Sequence, residues 1–187
     1  ICAGACPTAM PFRRIGVLVA GIEIPHLTVA SLRAKVEVAS GTFLGGPRIL
    51  VFGCDHGADV AGLAGPGVAA VSLPCTGMLP PPFVDFVLSR DLADGVMLTG
   101  CRDGHCRARL GVRWTEERID GRRDPALRAR VPRERLACVW ASLSDMPTLR
   151  AELSAFAARL ESLDGRPAAA PERTNKRRAA GATGGRA

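Results

Sequence analysis

Four short apolar runs organise the middle of this chain: "RILVFG" (48–53), "GVAAVSL" (67–73), "GVMLTG" (95–100) and "RLACVWAS" (135–142). Each is bounded by turn or polar residues and lacks the polar alternation of a half-exposed strand. That pattern suits strands buried on both faces. Between the runs the rhythm becomes helical, at roughly 58–64, at "PPFVDFVLSRDLA" (81–93) and in a longer stretch after Cys106. Upstream, a helix capped by Thr28 and ending near Ser40 would bury Val29, Leu32 and Val36. Downstream, "PTLRAELSAFAARLESL" (147–163) sets Leu149, Leu153, Phe156, Leu160 and Leu163 along one stripe. Apolar strand, helix, apolar strand is the mark of a parallel sheet, so the pattern predicts an α/β fold. Its expected form is three-layered, a mostly parallel four-stranded sheet flanked by helices.

The same pattern divides the chain. Residues 1–14 are a short piece punctuated by Cys and Pro, and 15–46 are a linker holding one helix. "GTFLGGP" then makes a Gly-rich hinge before the core at 47–164. Beyond it, 165–187 turn to Arg, Ala, Gly, Pro and Lys without periodicity, which predicts a disordered basic tail.

Charge and composition narrow the function. The net charge is +7, nearly all from Arg, and a basic chain can meet nucleic acid, an anionic membrane or an acidic protein. Nucleic acid is discounted, because only 4% of residues are aromatic, none is Tyr, and the few rings are scattered through apolar runs. No run reaches the roughly 18–20 apolar residues of a membrane-spanning helix, and "ICAGACPTAMPFRR" is not built as a signal peptide. A cytoplasmic location is therefore expected, with a place at the membrane face through a partner or an upstream domain as its variant. Because Ile1 is not an initiator Met, the chain is expected to be the rear part of something longer.

Seven cysteines without a secretory signal favour metal or redox chemistry over a disulfide framework. Cys54, Cys75 and Cys101 each fall at the carboxyl end of a predicted strand, and Cys106 is one short loop further on. In open parallel sheets that rim is where ligands bind, so four thiolates from distant loops could meet there. In "CRDGHC", Gly104 permits a tight turn whose N–H groups can face sulfur, and "PCTG" bends similarly. A single strand-end Cys is more often a small buried hydrophobe. Three in succession, with a fourth in a Gly turn, weaken that reading for the set.

Zinc would accept four thiolates, yet structural zinc favours Cys-x2-Cys knuckles, and Cys101-x4-Cys106 is too wide for those or for a dithiol redox pair. An iron–sulfur centre therefore leads. A zinc-stabilised interaction module stays open, as does a small-molecule-binding domain, although "GCDHGADVAG" is not a G-x-G-x-x-G dinucleotide loop. Cys138, inside "LACVWAS", reads as core packing, and His26 is assigned nothing. His56 and His105 each adjoin a proposed ligand and stand as substitute ligands or supporting donors, against the blander reading of polar loop residues. Arg107, Arg109, Arg113 and Arg118 are candidates for docking an acidic partner, with a solvated helix face as the alternative.

At the N-terminus, Cys2-x3-Cys6-Pro7 matches the end of the bacterial ferredoxin run C-x2-C-x2-C-x3-C-P. Its first two cysteines would lie upstream of Ile1, and they would complete a 4Fe–4S cluster of which Cys2 and Cys6 hold part.

With these pieces in view, residues 48–163 resemble the delta, or iron–sulfur, subunit of methyl-viologen-reducing hydrogenase. The matching stretches are "VFGCDHGADVAGLAG", "VSLPCTG" and "LADGVMLTGCRDGHCR". The resemblance implies a 2Fe–2S cluster and a non-catalytic electron-transfer role. Electrons would pass from a hydrogenase-like or other oxidising module to a flavin-containing partner of heterodisulfide-reductase type. Family members usually carry Cys-x-x-Cys in the first loop, whereas this chain has Cys54-Asp55-His56-Gly57. Cys54, Cys75, Cys101 and Cys106 remain as a full ligand set for 2Fe–2S. If the missing thiol were essential, His56 would have to replace it, or the domain would be a scaffold without a cluster.

Overall fold

A computed structural model of the chain describes residues 27–163. Cys2, Cys6 and His26, the 1–14 segment and the 165–187 tail lie outside the described residues.

The four apolar runs become β1 (Ile49–Cys54), β2 (Val68–Leu73), β3 (Gly95–Gly100) and β4 (Leu136–Trp140). They form one four-stranded sheet in the order β2-β1-β3-β4. Every pairing is parallel, with Cys54 opposite Leu73, Phe52 opposite Leu98 and Gly100 opposite Trp140. The sheet is thus wholly, not mostly, parallel. Burial on both faces holds for the two central strands, β1 and β3, in which every residue is buried. At the edges β2 and β4 are only partly covered, because nothing among the described residues packs beyond them. Cys138 shows the consequence. It lies on edge strand β4 and is exposed, so it does not fill the core as its apolar neighbours suggest.

Helices cover both faces. On one side α1 (Val29–Ser40), α2 (Pro81–Ser89) and the end of α3 (Gly111–Ile119) bury Leu32, Val36, Val84, Val87 and Ile119 against Leu50, Phe52, Val96 and Leu98. On the other, α4 (Met146–Leu163) lays Leu149, Leu153, Phe156 and Leu160 over Ile49, Val51 and Met97. Burying those side chains is the main drive holding the three layers together, at roughly 1.5–3 kcal/mol each before entropy. Leu163, at the helix end, stays 45% exposed. The Thr28 cap is present: its hydroxyl oxygen accepts from the Ser31 N–H at 3.0 Å.

Three predicted helices are shorter than their patterns. The 58–64 stretch makes a single tight turn at Ala61–Leu63, because Val60 is drawn back onto β1, where a Cβ on Gly53 would lie 2.3 Å from its side chain. The second helix stops at Ser89, not residue 93. Arg48 grips Asp91 and Asp94 there and turns the chain into β3. The third begins only at Gly111, since residues 101–110 are spent on the loop that carries Cys106.

Candidate metal centre

Strand order places the site. From β1 the chain moves to β2 on one side, and from β3 it moves to β4 on the other. The loops leaving β1 and β3 therefore part, and a crevice opens at the carboxyl ends of these neighbouring strands. Cys54 is the last residue of β1 and Cys101 follows the last residue of β3, so both border the crevice. Their sulfurs are 3.9 Å apart and both residues are buried. Two sulfurs held tetrahedrally at about 2.3 Å from one metal ion lie about 3.8 Å apart, so this pair is already spaced to share one.

Cys75 and Cys106 form the second pair, where bare backbone opens α3. A Cβ built on Gly111 would lie 2.6 Å from Cys75 Sγ and 3.3 Å from Cys106 Sγ. Glycine lets both sulfurs touch the helix start, and no side chain caps that N-terminus. Its free N–H groups and dipole favour negative charge on sulfur. The two pairs are linked electrostatically, since Cys54 lowers the Cys75 thiol and is raised by it.

Electrostatics separate the four. The neighbouring Cys54 thiol leads in holding Cys75 down at about 7, against the opposing effect of burial and with help from the Gly77 N–H. The same neighbour relation and burial push Cys54 up. Burial first, then the nearby sulfurs, raise Cys101, while the Arg107 N–H acts against that rise. Backbone supports surround the thiols: the His56 N–H lies 3.4 Å from Cys54 Sγ, and the Pro74 and His56 carbonyls accept from Cys54 and Cys101, each at 3.7 Å. Among the described residues, no group of three or more His, Cys, Asp or Glu side chains is set to hold a metal ion as it stands.

The remaining candidates sort themselves. His56 takes part through its backbone while its side chain is exposed, and His105 is exposed on the 101–106 loop. Arg107 and Arg109 are exposed beside Cys106, and Arg107 lines a cleft of about 740 Å³ with Cys54, His56 and Leu143. Arg113 lies further along α3, bonded to Glu117 at 2.8 Å. Arg118 does not belong with these surface arginines, because it is half-buried and donates to the Gly77 carbonyl at 2.8 Å. Gly57 has no room for a side chain: a Cβ there would meet the Gly100 carbonyl group at 2.9 Å.

Sequence reasoning missed Gly111. Its signal was a glycine at the start of an amphipathic helix, five residues after a candidate ligand.

Residues 49–164 match the family model of the methyl-viologen-reducing hydrogenase, delta subunit. The chain belongs to that family. This delta-subunit relative is accordingly a hydrogenase-associated oxidoreductase component, which implies partner subunits. Among the described residues no helix is long and apolar enough to cross a membrane.

Proposed function

We propose that this subunit is a one-electron relay whose Cys54, Cys75, Cys101 and Cys106 hold a 2Fe–2S cluster. Electrons would enter from a hydrogenase-like or other oxidising partner and leave to a flavin or iron–sulfur partner of heterodisulfide-reductase type. The observation that carries this reading is the arrangement of the four thiols as two pairs at the sheet's switch point, one spaced at 3.9 Å and the other meeting at Gly111. A binuclear cluster takes two thiolates on each iron, and when bound it accepts and returns single electrons.

The chain's own residues do the rest. The His56 N–H donates to Cys54 sulfur, and the Gly77 and Arg107 N–H groups favour negative charge on Cys75 and Cys101. The residue at 57 is glycine packed against the Gly100 backbone, so the four thiols serve without a fifth. Neither His56 nor His105 is needed as a ligand. Arg107 and Arg109 offer positive charge beside the site to an acidic partner. Cys2 and Cys6 extend the relay as part of a 4Fe–4S site completed upstream, a proposal that rests on sequence alone.

The test is anaerobic purification of the full chain, followed by iron, sulfide and zinc analysis. About two irons and two sulfides assigned to the core, abolished by Ser at any of the four positions, are expected from the 2Fe–2S stoichiometry. Zinc without sulfide would replace the relay by a structural module.

A further inference from the structure

Arg118 is a half-buried cation that the relay has not used. It lies on α3, yet its guanidinium reaches across to the turn after Cys75 and donates to the Gly77 carbonyl at 2.8 Å. Its Nε is buried and has no hydrogen-bond partner. No carboxylate within ion-pair distance of Arg118 is found among the described residues, whereas Arg113, Arg122 and Arg123 on the same helix and its exit each pair with one. Burial and the like charge of Arg123 both act against its positive charge. A half-buried cation in that position loses hydration without an anion to compensate it.

The turn it holds explains the cost. Residues 76–78 form one tight turn closed by Met78 N–H to the Cys75 carbonyl at 3.1 Å and Leu79 N–H to the Thr76 carbonyl at 3.0 Å. Within it Gly77 does two things. Its N–H helps lower the Cys75 thiol, and its Cα sits so close to Gly111 that a Cβ would lie 2.9 Å from the Gly111 Cα. The Gly77 carbonyl thus ties Arg118 to the tight turn that Cys75, a proposed ligand, opens and closes with its own carbonyl. Four thiolates on a 2Fe–2S centre bring net negative charge to this rim, and the centre gains one more on reduction. An unpaired cation behind the ligand turn offsets both.

We propose that Arg118 is a positioning residue for the centre, fixing the Cys75 turn through the Gly77 carbonyl and placing behind it a permanent positive charge that favours the reduced state. The charge half of this proposal rests on the cluster reading; the anchoring half does not.

The experiment compares the full chain with Arg118→Gln and Arg118→Lys, with Arg113→Gln as a surface control. Amide hydrogen exchange reads the anchor. In Arg118→Gln the 75–79 turn is expected to exchange about tenfold faster while β1 and α4 are unchanged, and Lys should recover part of the protection. Equal exchange, or acceleration spread over the whole sheet, overturns the anchor. Redox titration reads the charge. Arg118→Gln should shift the reduction equilibrium about tenfold toward the oxidised form, about 59 mV for one electron, with Lys close to wild type. An unchanged potential in an iron-loaded Gln variant overturns that half. A wild-type chain that takes up no iron defeats the relay itself, and exchange at the turn still decides the anchor.

Discussion

A single methyl group separates Gly111 from alanine, and the site gives that methyl no place, 2.6 Å from Cys75 Sγ. Alanine for glycine inside a helix ordinarily gains about 1 kcal/mol. Here the sulfur can swing aside, so Gly111→Ala should fold normally and lose iron, read by unfolding and by metal analysis on the same sample. Gly57→Cys tests the opposite idea, that a fifth thiol was simply lost. The added Cβ would press on the Gly100 backbone at 2.9 Å, so the variant should lose about 1–3 kcal/mol in urea unfolding. A variant of full stability with five alkylatable core thiols would contradict this. Cys138→Ser, on the exposed edge, should change neither iron content nor stability. The four rim cysteines were legible because strand ends are legible. Gly111 and Arg118 were not, because close approach and inward orientation depend on how α3 is set against the Cys75 turn. A helix-start glycine five residues after Cys106 marks the place in the sequence, but spacing does not give the approach.

Among the elements, α2 is tied to the segment after α3 by a carboxylate that few folds would bury. Asp85 is 5% exposed and accepts hydrogen bonds from Arg128 at 3.0 Å and from Arg130. The Arg130 hydrogen bonds lead in holding its carboxyl below the usual range, against burial and with Arg128 assisting. Both arginines are more than half exposed, so screening trims the pair, and Asp85→Asn should cost about 1–2 kcal/mol. The sign of the pH effect follows from the depressed folded value. This stabilisation is complete above the unfolded carboxylate's pKa of about 3.9 and is lost as pH falls through the lower folded one. Wild type and Asp85→Asn should therefore converge in urea midpoint below about pH 4; parallel curves would contradict the assignment. Apolar runs located all four strands because burial writes itself into composition. They overstated three helices, whose ends are set by long-range grips such as Arg48 on Asp91 and Asp94.

For the whole molecule, the parallel sheet gathers thiols from three loops at one rim and leaves Arg107 and Arg109 exposed beside them. Leu143, 70% exposed, shares the adjoining cleft with Arg107. Charge there should steer encounter rather than set potential. Reversing both arginines to Glu should slow oxidation of the reduced chain by an anionic one-electron acceptor such as ferricyanide on the order of tenfold at low salt, with the difference fading as salt rises. A rate unchanged at low salt would place docking elsewhere. The relay itself is tested most directly by a reductive titration of the 4Fe–4S-free core thiols: the chain with Cys2→Ser and Cys6→Ser, loaded with iron and sulfide, titrated anaerobically while its visible spectrum and paramagnetic signal are followed. Uptake of one electron per chain is expected, with bleaching of the visible bands and a paramagnetic reduced form, reversible on reoxidation. A colourless chain that takes up no electrons would contradict it.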